Sequence, residues 1–147
     1  MTAPALNQRY DAVSLEERGK GRAEALPSRL AMPPDRLREK RILEVGCGYG
    51  EHCAALEDIF GAEVVGIDRW PRIYEGPYRE RGFFRQLDVT SDDVKTLVTF
   101  DIVTSCDTLE HIENPRRAVA NIATLLRPGG RAFLKINLHR GASASHI

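Results

Sequence analysis

The stretch Ile42-Leu43-Glu44-Val45-Gly46-Cys47-Gly48-Tyr49-Gly50 decides the fold of this chain. An apolar run leads directly into three glycines at alternate positions, and the residues that follow have the apolar spacing of a helix. This order predicts a buried strand, a tight turn and a helix. Glycine tolerates backbone angles that other residues resist, and its missing side chain lets a ligand lie against the backbone. The start of the following helix offers unpaired N–H groups to a polar or anionic ligand.

The composition is that of a single globular domain. The chain has 147 residues, of which 42% are hydrophobic and 29% are charged, and this length fits one domain. The formal net charge is +0, so no overall basic field attracts nucleic acid. No apolar stretch reaches the length of a membrane span, and the first residues lack the pattern of a signal peptide. Cys47, Cys53 and Cys106 lack metal-ligand spacing and are expected as reduced thiols in a cytoplasmic protein.

Four further apolar segments have the pattern of strands. They lie at residues 63–68, 83–89, 100–106 and 130–136, and helical patterns or turn signals separate them. This alternation predicts an α/β fold with a doubly wound, mainly parallel sheet of about five strands and helices on both faces. In such a sheet, ligands bind in the crevice at the carboxyl ends of the strands.

Acidic residues lie at the ends of the predicted strands. Asp68 ends the second strand, 18 residues after Gly50, and Asp88 ends the third. A carboxylate at the end of the second strand can accept both ribose hydroxyls of a nucleoside, although aspartate is also a common turn residue. Cys106 and Asp107 close the fourth strand. The glycine turn and three acids at one sheet edge therefore predict a site for an adenosine-type ligand.

The motif Glu44-Val45-Gly46-Cys47-Gly48-Tyr49-Gly50 resembles the first motif of the class I S-adenosylmethionine-dependent methyltransferases. The turn Leu126-Arg127-Pro128-Gly129-Gly130 before an apolar strand is also similar to that family. The resemblance implies a Rossmann-like methyltransferase fold, S-adenosylmethionine as the cofactor, S-adenosylhomocysteine as the product and a small-molecule methyl acceptor. A dinucleotide-binding turn would need glycine at position 51, where the chain has glutamate, so an NAD-type dehydrogenase is less favoured.

The resemblance also assigns cofactor-binding roles to residues at the strand ends. Asp88 would accept a hydrogen bond from the adenine amino group, and the backbone N–H of Val89 would reach the ring. The resemblance also implies that a residue at the end of the fourth strand contacts the methionine part. From their position directly after Asp68, Arg69 and Trp70 are candidates to flank the adenine, although packing explains Trp70 equally well. The full expected set is Glu44, Gly46, Cys47, Gly48, Gly50, Asp68, Arg69, Asp88, Val89 and Cys106.

Asp107, Glu110 and His111 are the candidate catalytic residues. Methyl transfer from a sulfonium needs mainly alignment and a dry cleft, and an oxygen acceptor also benefits from a general base. O-methylation is therefore the first expectation, although a structural hydrogen bond at a helix start is the simpler interpretation of His111. The pattern Asp107-x-x-Glu110-His111 is similar to the E-x-x-E-H metal pattern of the small-RNA 2′-O-methyltransferases and of some quinone-pathway O-methyltransferases. It departs from that pattern at the first position, and we expect no metal.

The two ends of the chain lie outside this resemblance. Residues 1–40 are predicted to form a helical cap or, as the resemblance implies, a lid with Tyr10 near the cleft. Ser14 and Glu17 resemble a capping box, which predicts a helix start near Leu15. Residues 41–137 form the predicted S-adenosylmethionine-binding core, and residues 138–147 form a tail.

The chain ends soon after the fifth predicted strand, where the resemblance implies two more strands and a helix. The fifth strand would then be an uncovered edge, and uncovered edges invite pairing. We therefore expect a fragment of a longer enzyme, a chain that needs a partner, or a homodimer formed through this edge. The alternative function is a module that binds S-adenosylmethionine or a nucleoside without catalysis.

Overall fold

The computed structural model describes residues 11–138, which contain one parallel sheet of five strands in the order β3-β2-β1-β4-β5. The strand order reverses at β1: β2 and β3 lie on one side of it, and β4 and β5 lie on the other, as in a doubly wound fold. The predicted fold class is therefore confirmed. The strands are β1 (Arg41–Val45), β2 (Glu63–Asp68), β3 (Phe84–Gln86), β4 (Phe100–Cys106) and β5 (Leu126–Lys135).

In the described part of the chain, three α-helices cover the two faces of the sheet. They are α1 (Ala12–Leu30), α2 (Glu51–Phe60) and α3 (Pro115–Leu125), and short 3₁₀ helices cover Pro34–Glu39, Arg72–Glu75, Asp92–Thr96 and Leu109–His111. Side chains of β1 alternate between two hydrophobic clusters, as the period of a strand requires. Ile42 packs with α1 and α2 on one face, and Leu43 and Val45 pack with α3 on the other.

Helix α1 belongs to the core of the domain. Its residues Ala23, Leu26 and Leu30 are buried in the cluster that also contains α2. The helix begins at Ala12, before the predicted start near Leu15, because Asp11 is its N-cap and accepts a hydrogen bond from the backbone N–H of Ser14 at 2.8 Å. Tyr10 lies outside the described residues.

Three boundaries differ from the sequence prediction. Strand β3 ends at Gln86, so Asp88 follows the strand instead of ending it. Ser91-Asp92-Asp93 has the pattern of an N-cap and predicts a helix through Val98, whereas the structure has a shorter 3₁₀ helix at residues 92–96. Strand β5 begins at Leu126, before the predicted Gly130, because Leu126 already pairs with Phe100 and a register shift accommodates the turn residues.

Within the described residues, β5 has a neighbouring strand on one side only. The predicted open edge is therefore present in this part of the chain, and pairing through it stays a prediction. No helix within residues 11–138 is both long and apolar enough to cross a membrane.

Candidate active site

A cleft of about 1070 Å³ lies at the carboxyl ends of the strands, next to the point where the strand order reverses. This is the position expected for ligands in doubly wound sheets. Most of the predicted site residues line it, and Glu44 and Gly50 do not. The predicted residues at the cleft wall are Gly46, Cys47, Gly48, Asp68, Arg69, Asp88, Val89, Cys106, Asp107, Glu110 and His111.

Gly48 presents open backbone to the cleft. It has a φ of +55°, and a Cβ built there would have no atom within 4 Å. The backbone N–H of Gly48 donates to Asp68 Oδ2 at 3.0 Å, and the N–H groups of Gly46 and Cys47 donate to the carbonyl of Ile67 at 2.8 and 3.0 Å. The turn is thus fixed to the end of β2, and its open side is available to a ligand.

Gly46 lacks a side chain for a different reason. A Cβ at this position would lie 2.1 Å from Thr108 Oγ1. The side chain of Thr108 therefore fills the space in which a ligand was expected to lie against the backbone. The Thr108 hydroxyl donates to the carbonyl of Cys106 at 3.2 Å. Thr108 therefore joins the glycine turn to the end of β4, and no local sequence signal indicated this role.

Gly50 and Glu44 face away from the cleft. Gly50 is the N-cap of α2, and a Cβ there would lie 2.9 Å from the ring of Phe83, which is part of the core. Glu44 is buried beneath the turn, where its Oε2 accepts from the hydroxyl of Thr104 and lies 3.1 Å from His52 Nδ1. The structure therefore gives both residues contacts that support the turn, and their predicted part in cofactor binding stays a prediction.

Asp68 and Asp88 contribute two carboxylates to the wall of the cleft. Asp68 Oδ1 accepts from the backbone N–H of Trp70 at 2.9 Å. Asp88 Oδ1 accepts from the hydroxyl and the backbone N–H of Thr90 at 2.7 and 2.8 Å, and these two hydrogen bonds lower the pKa of Asp88. Asp88 is therefore an ionised hydrogen-bond acceptor at neutral pH. Arg69 lies beside it, with its guanidinium 5.2 Å from the ring of Trp70.

Asp107 has an unusual backbone and two cationic neighbours. Its φ is +55°, a conformation that is uncommon for residues other than glycine. Its Oδ2 lies 3.2 Å from Arg22 Nη2 and 3.5 Å from Lys135 Nζ. Its Oδ1 is buried and has no hydrogen-bond partner in the part of the chain that the structure describes. Next to it, burial raises the pKa of the Cys106 thiol to about 11, so this thiol is protonated at neutral pH.

Arg18, Arg22 and Glu51 also line the cleft and were not among the predicted site residues. The two arginines are four residues apart, so they lie on one side of α1. Glu51 Oε1 lies 3.8 Å from Arg18 Nε and 3.7 Å from Arg22 Nη1. Burial is the main cause that raises the pKa of Glu51, and the arginines oppose it. The spacing of the two arginines could have indicated a shared face of a helix. Because they are distant in sequence from the glycine turn, it could not indicate that this face lies at the cleft.

Glu110 and His111 lie together in the short 3₁₀ helix after β4. Glu110 Oε1 is 4.0 Å from His111 Nε2, which is too long for a hydrogen bond. Glu110 Oε2 is buried and unpartnered within residues 11–138, while the side chain of His111 is about half exposed. The described residues contain no group of three histidine, cysteine, aspartate or glutamate side chains placed to hold a metal ion.

Comparison with known proteins identifies relatives of this domain. A family model described as a methyltransferase domain matches residues 15–145. A ubiquinone biosynthesis O-methyltransferase of Coxiella burnetii is 34% identical over 103 residues, which cover 66% of this chain and 43% of that protein. One of Ralstonia nicotianae is 32% identical over 114 residues, covering 74% of this chain and 47% of that protein. The chain thus spans less than half the length of these relatives.

Solved structures share the fold. An amino pentose methyltransferase of Micromonospora echinaspora with bound S-adenosylmethionine has a TM-score of 0.66 and 25% identity, over 93% of this chain and 61% of that one. A sugar N-methyltransferase of Streptoalloteichus sp ATCC 53650 has a TM-score of 0.63 and 25% identity, over 97% of this chain and 62% of that one. Both similarities agree with the parallel sheet and the cleft described above.

Proposed function

The chain belongs to the methyltransferase domain family, and we propose that it is an S-adenosylmethionine-dependent methyltransferase acting on a small molecule. The observation that carries the proposal is the open side of Gly48 with the carboxylates of Asp68 and Asp88 beside it in one cleft. The relatives named as ubiquinone biosynthesis O-methyltransferases and the S-adenosylmethionine-bound structure support it.

The residues of the cleft fit an adenosine-type cofactor. Its volume of about 1070 Å³ is slightly above the range of roughly 300–1,000 Å³ that is typical of ligand pockets. Carboxylates accept hydrogen bonds only, so Asp68 suits the ribose hydroxyls and Asp88 suits the adenine amino group. We assign the backbone N–H of Val89 to the same ring, because Val89 follows Asp88 and lines the cleft.

The other end of the cleft fits an amino-acid group. Arg22 offers a planar guanidinium that pairs well with a carboxylate, and its side chain is only 17% exposed. The unpartnered Oδ1 of Asp107 suits an ammonium group. We assign the methionine part of the cofactor to this end, with Cys106 and Cys47 as its uncharged walls.

When bound, S-adenosylmethionine supplies an electrophilic methyl group on a positive sulfur. The cleft residues bind the cofactor and orient the acceptor, and this alignment is a large part of what such a transfer requires. We place the acceptor next to Glu110 and His111, where the imidazole takes the proton of an acceptor hydroxyl and Glu110 faces the imidazolium that results. O-methylation is therefore the proposed reaction, and the O-methyltransferase names of the relatives support it.

Calorimetric titration with S-adenosylhomocysteine and NAD tests the cofactor. We expect micromolar affinity for S-adenosylhomocysteine, the demethylated product, and no measurable binding of NAD. Failure to bind S-adenosylhomocysteine, or tighter binding of NAD, contradicts the proposal.

Transfer from radiolabelled S-adenosylmethionine to a panel of hydroxylated and aminated small molecules tests the reaction. We expect methylation of a hydroxylated acceptor. The His111→Gln variant is expected to keep its affinity for S-adenosylhomocysteine but to transfer the methyl group about 10²–10⁴-fold more slowly, which is the range for loss of a general base. Cofactor binding without transfer to any acceptor favours the alternative of a non-catalytic binding module.

We also propose a cytoplasmic location. Cys47, Cys53 and Cys106 are all free in the structure, and cysteines stay reduced in the cytosol.

A further inference from the structure

Helix α1 approaches the first residue of α2 very closely at Gly19. A Cβ at Gly19 would lie 2.2 Å from the carbonyl oxygen of Glu51. Gly19 is buried in the middle of α1, where glycine lowers helix stability. The glycine is therefore explained by the contact, which fixes the distance between α1 and Glu51.

This contact places Glu51 between two arginines. Arg18 and Arg22 flank Gly19 on α1, and both approach Glu51 Oε1 at less than 4 Å. Arg22 also reaches Asp107 Oδ2 at 3.2 Å. Glu51 and Asp107 thus hold the guanidinium of Arg22 from two sides at the cleft wall.

Glu51 is poorly suited to a purely stabilising role. Its side chain is 7% exposed, its Oε2 is buried without a partner in the described chain, and its ion-pair distances exceed those of good charged hydrogen bonds. A buried carboxylate with these features costs the native state free energy. Local costs of this kind are typical of functional positions.

We propose that Glu51 is a positioning residue for cofactor binding. It acts through Arg22, whose guanidinium it holds so that the open edge meets the carboxylate of the cofactor's amino-acid end. Arginine has many side-chain rotamers, and a fixed guanidinium loses less conformational freedom when the ligand binds. Without Glu51, Arg22 keeps its contact to Asp107 but loses the second support. This inference rests on the proposed function.

The test compares two ligands that differ only at the amino-acid end. S-adenosylhomocysteine carries that end, and 5′-methylthioadenosine has the same nucleoside thioether without it. We expect Glu51→Gln to weaken the binding of S-adenosylhomocysteine about tenfold, which corresponds to the loss of one charged hydrogen bond. The affinity for methylthioadenosine is expected to stay unchanged.

A double-mutant cycle separates action through Arg22 from an independent effect. In an Arg22→Met background, we expect Glu51→Gln to cause no further loss of S-adenosylhomocysteine affinity. The matched control is Glu57→Gln. Glu57 is on the same helix but does not line the cleft, and its Oε1 lies 3.2 Å from Arg81 Nη1. This control is expected to bind both ligands like the unchanged chain. Should Glu51→Gln not fold, Glu51→Asp, which shortens the reach to Arg22, gives the same comparison.

Two results overturn the inference alone. Equal losses for both ligands indicate a general distortion of the cleft, and additive losses in the cycle indicate that Glu51 does not act through Arg22. If the unchanged chain binds methylthioadenosine but not S-adenosylhomocysteine, the proposed function is contradicted and the inference that rests on it fails as well. If it binds neither ligand, the proposed function itself fails and the inference fails with it.

Discussion

At Gly48, the position that a Cβ would occupy is open space in the cleft, whereas at Gly46 the side chain of Thr108 fills it. Two glycines of one motif therefore lack side chains for different reasons. The first leaves room for a ligand, and the second leaves room for the chain itself. Only the first is expected to affect ligand binding directly.

Gly48→Ala tests this distinction, with Gly129→Ala as its control. Both glycines have a left-handed φ, of +55° and +80°, and neither has an atom within 4 Å of its Cβ position. Each substitution is expected to lower the free energy of unfolding by about 1–2 kcal/mol, since left-handed backbone disfavours alanine. Only Gly48→Ala is expected to weaken S-adenosylhomocysteine binding, by at least about tenfold, because its methyl group enters the cleft.

Denaturant unfolding and calorimetry measure the two effects separately. Similar losses of ligand affinity in both variants would show that backbone strain, not occupied space, is responsible. Unchanged affinity in Gly48→Ala would place the ligand away from the turn.

At the scale of elements, α1 contributes both to the core and to the cleft of the predicted domain at residues 41–137. It buries Leu26 and Leu30 in the core that α2 also covers, and it brings Arg18 and Arg22 to the cleft. Arg131 of β5 fixes the end of the helix by donating to the carbonyls of Leu30 and Ala31. The described part of the predicted cap or lid is thus a packed wall of the cleft, and closing over a ligand stays a prediction.

Gly19→Ala and Gly21→Ala are a matched pair on α1. A methyl group at Gly19 would collide with the backbone of Glu51, whereas at the exposed Gly21 it would meet no atom within 4 Å. We expect Gly19→Ala to destabilise the domain by about 1–3 kcal/mol, as overpacking does. Gly21→Ala is expected to stabilise it by about 0.5–1 kcal/mol through helix propensity.

Ligand affinity provides a second measurement on the same pair. Gly19→Ala is expected to lower the affinity for S-adenosylhomocysteine, because the substitution moves α1 and its arginines. The Gly21→Ala variant is expected to bind this ligand with unchanged affinity. Equal stability of the two variants in urea would contradict the close contact at Gly19.

At the scale of the whole molecule, the carboxyl ends of five parallel strands bring residues from distant parts of the chain into one cleft. Several of these residues are charged, and Glu51 is among the most buried of them. Burial raises its pKa above the ordinary value of about 4.5. A carboxyl group of this kind favours the folded state when protonated. Its contribution to stability is present below pH 4.5 and is lost as pH rises through the raised folded-state pKa.

The stability of Glu51→Gln should therefore differ from that of the unchanged chain in a pH-dependent way. The difference in thermal midpoint, variant minus unchanged chain, is expected to increase from about pH 4 up to the folded-state pKa of Glu51 and then to become constant. Circular dichroism melts at a series of pH values from about 3.5 upward measure this difference. A difference that is independent of pH would show that Glu51 keeps its ordinary pKa in the folded domain.

Local patterns were sufficient for the parallel sheet, the glycine turn and the placement of Asp68, Asp88 and Asp107 near one edge. Strand periodicity and turn chemistry operate over a few neighbouring residues, so they can be read directly from the chain. The family, too, was recognisable from the motif that begins at Glu44, and the match over residues 15–145 confirms it.

Long-range packing set the features that these patterns missed. Arg22 meets Asp107 across 85 positions of sequence, and Thr108 fills the space above Gly46. Glu44 faces α2 because strand alternation puts it on the side opposite Leu43 and Val45. Such contacts depend on how helices and strands pack against each other, and periodicity within one segment contains no information about the partner that another segment brings.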